Sequence, residues 1–133
     1  MRAVAFSYPR SYRITRASEF QRVFERGLHR RISVIGLLVR VRESTSGRAR
    51  LGFALSKRSL KRAVDRNRVK RLTRESFRLH YSQLPAVDFV ILSQAEVAGL
   101  DNTAILLQLD LLWQQAIRLY PKLSPAAVPS QAD

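Results

Sequence analysis

Residues 66–78 read Arg66-Asn67-Arg68-Val69-Lys70-Arg71-Leu72-Thr73-Arg74-Glu75-Ser76-Phe77-Arg78, and the rest of the chain is best read outward from them. The stretch holds neither Gly nor Pro and is rich in good helix formers. It predicts a long helix that starts between Ser59 and Asp65 and ends near Tyr81, ahead of the break at Pro85. At the helical period, Asn67, Arg71, Arg74 and Arg78 share an arc of about 60°, flanked by Arg68 and Lys70. Val69, Leu72, Thr73, Ser76 and Phe77 fall on the opposite side. One face is expected to pack on a core while the other presents a row of cations. Neighbouring guanidinium groups repel unless anions sit between them, and Glu75 gives only local relief at Arg71 and Arg78. Phosphates fit that need, because each one neutralised releases condensed counterions.

The charge of the whole chain supports this reading. Among 133 residues there are 24 Lys+Arg against 10 Asp+Glu, a formal net charge of +14. Residues 57–78 alone hold 10 basic and 2 acidic side chains, whereas residues 79–133 hold 2 basic and 5 acidic. The excess lies inside the folding part of the chain, which makes it one charged face and points to a polyanionic partner. Most of the basic residues are Arg, whose planar fork suits phosphate and base edges. There is no Cys, which excludes a disulfide scaffold and a Cys-ligated zinc site and fits a cytoplasmic protein. MRAVAFSYPR has no apolar core of a secretory signal, and no apolar run approaches the roughly 20 residues of a membrane helix.

Upstream, Ser18–Arg26 reads as a short helix with Ser18 as N-cap, Phe20, Val23 and Phe24 on one face and Gly27 as its stop. Ile32–Arg42 (ISVIGLLVRVR) reads as a strand, Glu43–Arg48 as a polar connection and Leu51–Leu55 as a second strand, the two expected to pair as a hairpin. Downstream, Val87–Ser93 reads as a third strand. Asp101–Asn102 opens a last helix over Thr103–Tyr120, with Ile105, Leu106, Leu109, Leu112, Trp113 and Ile117 on one face. The expected fold class is α+β, a single domain with a small sheet covered by helices in the order α-β-β-α-β-α. Residues 1–122 are read as one polyanion-binding domain, which the resemblance given below makes RNA-binding, and 123–133 as a disordered tail.

Catalytic side chains are harder to find. The acidic residues are singly spaced, without the convergent carboxylates of a metal nuclease. His29 and His80 have no ligand spacing, and neither a Walker loop nor a dinucleotide-binding Gly motif occurs. No catalytic residue and no metal ligand is therefore expected. Phe20 and Phe24, one turn apart, read either as core or as a stacking platform for unpaired bases.

The stretch Arg66–Arg78 closely resembles the signature of the bacterial ribonuclease P protein subunit. Glu19-Phe20-Gln21-Arg22-Val23-Phe24 is similar to that family's first helix. Leu51-Gly52-Phe53-Ala54-Leu55-Ser56-Lys57-Arg58 is similar to the strand before its basic helix, and Leu84–Val90 to its third strand. The likeness covers about residues 12–120 in order and spacing. It implies a ribonucleoprotein endonuclease, a hydrolase whose catalyst is RNA. The RNA subunit, with bound Mg2+, removes the 5′ leader of precursor tRNA, while the protein binds that RNA and the single-stranded leader. It also implies a fold similar to the second domain of ribosomal protein S5, with a left-handed βαβ crossover. Carried over residue by residue, Arg66, Asn67, Arg68, Lys70 and Arg71 are expected on the RNA subunit, with Arg74 and Arg78 extending that face by the wheel. Phe20, Phe24, Lys57 and Arg58 are expected on the leader and precursor tRNA. The chain departs from the family pattern in two places. Many members carry a Gly in the loop that here reads Ser59-Leu60-Lys61-Arg62, and many carry an aromatic on the first strand, where residues 32–42 have none. The alternative is a non-catalytic, ribosomal-type RNA-binding protein.

Overall fold

The computed structural model describes residues 12–24 and 30–124. Its elements run α1 (Ala17–Phe24), β1 (Arg30–Val34), β2 (Leu37–Glu43), β3 (Arg50–Phe53), α2 (Ala63–His80), β4 (Val87–Ser93) and α3 (Asn102–Leu119). Short 3-10 turns follow α2, β4 and α3. The four strands form one mixed sheet in the order β1-β2-β4-β3. The α+β class and the helix-covered sheet agree with the expectation, but the strand count is one higher.

The extra strand comes from Gly36. Ile32–Arg42 was expected to be a single strand, and it is instead a hairpin. Val34 pairs with Leu37 across the two-residue turn Ile35–Gly36, where Gly36 takes φ 83. That left-handed conformation is open to Gly at no steric cost, and the apolar run around it hides the turn from a pattern reading. A Cβ at position 36 would also lie 3.1 Å from the Val97 backbone.

The expected hairpin between the first two predicted strands does not form either. β2 pairs antiparallel with β1 and β4, and β3 lies parallel to β4 on the far side. The residues of β4 are apolar on both faces apart from Asp88 and Ser93, and its first five residues are buried, which suits a central strand covered on both sides. The connection of residues 44–49 passes the end of β4, where the Ser44 N–H donates to the Ala86 carbonyl at 3.0 Å. The parallel β3–α2–β4 unit needs a long crossover, and α2 provides it.

On one face of the sheet, α2 and α3 bury Val39, Val41, Leu51, Val69, Phe77, Phe89, Ile91, Leu109 and Trp113. Phe77, Phe89 and Trp113 meet edge to face, and the Trp113 indole N–H donates to Ser76 Oγ at 2.8 Å, which joins the two helices. Each such side chain contributes about 1.5–3 kcal/mol by burial. The buried residues of α2 are Val69, Leu72, Thr73, Ser76 and Phe77, the set read from the wheel. On the other face, α1 lies over Val90 with Ile14 and Val23 in a smaller cluster.

Helix ends differ in detail from the expectation. Ser18 is not the cap of α1; the helix begins one residue earlier, and Glu19 Oε1 accepts from the backbone N–H groups of Thr15 and Arg16, both at 3.1 Å. A glutamate at the third helical position often reaches back in this way. Asp101 caps α3 by accepting from the Ala104 N–H at 2.8 Å. Leu123 packs against the core, and its carbonyl accepts from the Ala86 N–H. Gly27 and residues 125–133 lie outside the described residues.

Candidate nucleic-acid interface

The groove starts at a bare piece of backbone. β3 is the edge strand beside β4, and the Ile14 N–H donates to the Leu51 carbonyl at its free side. Gly52 faces α1, and a Cβ there would stand 2.8 Å from Ile14 Cβ and 3.1 Å from the Phe20 ring. The missing side chain lets Phe20 lie close to the strand. Between this wall and α2 runs an open groove of about 790 Å³, lined by Arg13, Phe20, Gly52, Phe53, Lys70, Arg71, Arg74 and Arg78, among others.

Phe20 is half-buried: it packs beside the Ile14, Val23 and Val90 cluster and also lines the groove. One ring therefore packs in the smaller cluster and is also open to the groove. The side chain of Phe24 lies outside the described residues. Phe53 is a groove aromatic that strand periodicity alone does not single out. The Arg74 guanidinium stands 5.5 Å from its ring centre. The first strands carry no aromatic, and β3 supplies one instead.

On α2 the cations divide. Lys70, Arg71, Arg74 and Arg78 reach the groove. Arg78 pairs with Glu75 at 2.7 Å, while Lys70 and Arg71 have no ion-pair partner among the described residues. Asn67 is exposed one turn before Arg71. Arg66 and Arg68 turn away from the groove. Arg66 donates to the carbonyls of Leu60 (2.6 Å) and Lys61 (3.1 Å), and Arg68 donates to the carbonyl of Leu100 (2.9 Å) and to Asn102 Oδ1 (3.0 Å). The Arg66 contacts hold the glycine-free loop, together with Ser56 and Ser59, whose hydroxyls lie 3.0 Å apart. Lys57 and Arg58 are exposed on that same loop and do not line the groove.

The carboxylates around the groove are engaged. Arg50 forms a two-pronged bond to the buried Asp88, Nε to Oδ1 at 2.9 Å and Nη2 to Oδ2 at 3.0 Å. Its Nη1 donates to Glu19 Oε2 at 2.8 Å. That bond from Arg50 holds the Glu19 carboxyl down at about 2, and the bonds to Asp88 first, then to Glu19, raise the Arg50 guanidinium above its ordinary value. No cluster of three or more His, Cys, Asp or Glu able to hold a metal occurs among the described residues. His80 donates through Nδ1 to the Ser76 carbonyl and lies 3.4 Å from Asp110, in the α2–α3 contact. None of the described helices is long and apolar enough to cross a membrane.

The family model described as Ribonuclease P matches residues 8–117. The chain belongs to the ribonuclease P protein family. It is 42% identical over 123 residues to the ribonuclease P protein component of Chromohalobacter salexigens, covering 92% of this chain and 95% of that one. To the corresponding component of Yersinia pestis it is 42% identical over 118 residues, covering 89% and 98%. The solved RNase P protein of Staphylococcus aureus superposes with a TM-score of 0.70 at 27% identity, covering 79% of this chain and 94% of that one. The Thermotoga maritima RNase P protein shares the fold, with a TM-score of 0.65 over 77% and 96% of the two chains. Within this ribonuclease P protein fold, the groove of the present chain gathers residues from α1, β3 and α2 as far apart in the chain as Phe20 and Arg78.

Proposed function

We propose that this chain is the RNA-binding subunit of a ribonuclease P ribonucleoprotein, working in the cytoplasm. It assists an RNA subunit that uses Mg2+ to remove the 5′ leader of precursor tRNA. The observation that carries this reading is the groove itself, which places Phe20 and Phe53 against a wall of Lys70, Arg71 and Arg74. Cations along the wall track phosphates and release counterions, and a base stacked on a ring adds about 1–3 kcal/mol. This combination fits a single strand better than a duplex, whose bases are already stacked. We assign the unpaired leader to the groove, which moves Lys70, Arg71, Arg74 and Arg78 there from the RNA-subunit side expected for them, and the RNA subunit to the exposed side of α2, including Asn67 and the edges of Arg66 and Arg68. Phe24, Lys57 and Arg58 join the leader side on the strength of the resemblance. Glu19, Glu75 and Asp88 all bond to arginines, so they do not suit a metal. The magnesium chemistry is assigned to the RNA.

Reconstitution tests this. The full chain is mixed with a bacterial ribonuclease P RNA and a precursor tRNA at low Mg2+. Cleavage is expected to be faster than with the RNA alone, and none is expected from the protein alone. No gain over the RNA would leave a ribosomal-type RNA binder as the better reading. Cutting by the protein without RNA would assign the chemistry to side chains.

A further inference from the structure

We propose that Arg50 and Glu19 are positioning residues that set the aromatic wall of the groove. The inference rests on the reading of Phe20 as a leader contact. It deepens that reading by naming what holds the ring in place.

The tie runs from the centre of the sheet to the first turn of α1. Asp88 is fully buried on the central strand, in register with Arg42 of β2 on one side and Arg50 of β3 on the other. The Arg50 fork takes both Asp88 oxygens and extends its third nitrogen to Glu19. The second oxygen of Glu19 accepts from the backbone of Thr15 and Arg16, where the helix begins. Arg22, one turn along α1, comes within 3.6 Å of Asp88. Three carboxylate oxygens are thus held by one planar group, which the point charge of a lysine could not do.

Two further observations turn this tie into a positioning device. Phe20 directly follows Glu19, and Gly52, two residues after Arg50 on the same strand face, is the residue over which the Phe20 ring lies. The ring is therefore bracketed between an ionic tie and a van der Waals stop on the same strand. In addition, α1 has only 8 residues and sits on a small apolar cluster. A helix of that length is marginal by itself, so its seat depends on what fastens it. Buried ion networks add little stability compared with apolar residues of similar volume, and what such a network specifies here is the register of α1 on β3.

The test uses the full chain reconstituted with ribonuclease P RNA, at a temperature where circular dichroism shows every variant fully folded. The readout is the ratio of affinities for precursor tRNA with its leader and for the same tRNA without it. Phe20→Ala is expected to lower that ratio. Glu19→Gln keeps the Arg50–Asp88 pair but leaves one acceptor oxygen for Arg50 and the α1 backbone together, so it weakens the link to α1, and Arg50→Lys loosens both carboxylates. Each is expected to lower the ratio several-fold, and neither is expected to lower it further when added to Phe20→Ala, because both act through the ring. A role confined to stability would leave the ratio intact at full folding. Glu19→Gln and Arg50→Lys at the wild-type ratio, beside a lowered one for Phe20→Ala, would overturn the positioning role alone. An additive effect in the Phe20→Ala background would overturn it too. An unchanged ratio for Phe20→Ala would sink the leader reading and this inference together.

Discussion

Two parts of α2 carry the same kinds of side chain to different ends. Toward the groove, Lys70 and Arg71 share its lining with Phe20 and Phe53, without an ion-pair partner among the described residues. Away from it, Arg66 and Arg68 are bonded to carbonyls of the loop before α2 and of the turn before α3. What separates them is the neighbourhood. A guanidinium close to unpaired loop carbonyls becomes a brace, and one beside an open groove stays available to a ligand. An arginine-rich helix is therefore not one uniform surface.

The largest effect is expected at the residue that holds both parts in place. Phe77→Ala should destabilise the fold by about 3–5 kcal/mol in urea unfolding, because it removes a fully buried ring from the aromatic cluster. A much smaller loss would mean that α2 is seated by something else. Arg68→Ala should cost about 1.5–3 kcal/mol, since it strips charged hydrogen bonds from Leu100 and Asn102. Arg71→Ala should stay within about 0.5 kcal/mol of the parent. The reverse order would erase the contrast between brace and ligand contact. In RNA binding the ranking inverts. Arg71→Ala should reduce the slope of log affinity against log salt by about one unit, and Arg68→Ala by less at equal folded fraction.

The smallest expected effect concerns acid. Glu19 titrates at about 2 in the fold against 4.5 as an ordinary carboxyl, so its contribution is complete above about pH 4.5. That contribution fades as the pH falls from 4.5 toward 2, when the carboxylate is protonated and the Arg50 bond is lost. Glu19→Gln should unfold more readily at neutral pH and show a shallower pH dependence across that window. A parent-like slope would mean the bond is not made in solution.

Much of this contrast can be read along the chain, and some of it cannot. The buried side of α2 follows from spacing alone, because five apolar or small residues recur at the helical period. The bounds of β4 also follow, since an apolar run between Pro85 and the polar Gln94 leaves little choice. The division between Arg68 and Arg71 does not, because the carbonyl that engages Arg68 lies 32 residues away. Arg50 and Asp88 are 38 apart and face each other only once β3 has been placed beside β4. That placement was missed because strands close in sequence usually pair, and here the later strand inserts between the earlier ones. Phe53 was overlooked for the same reason, as only an edge position turns its ring toward a groove.

The floor and walls of the groove come from residues near 14, 20, 52 and 70–78, and β4 must be in place before β3 has a neighbour. On a ribosome, Phe20 leaves the exit tunnel long before Asp88, so a nascent chain exposes its arginines well before it can offer a shaped cleft. On the proposed reading, selective recognition is the last property the polypeptide acquires, and any earlier attraction to a polyanion rests on charge alone.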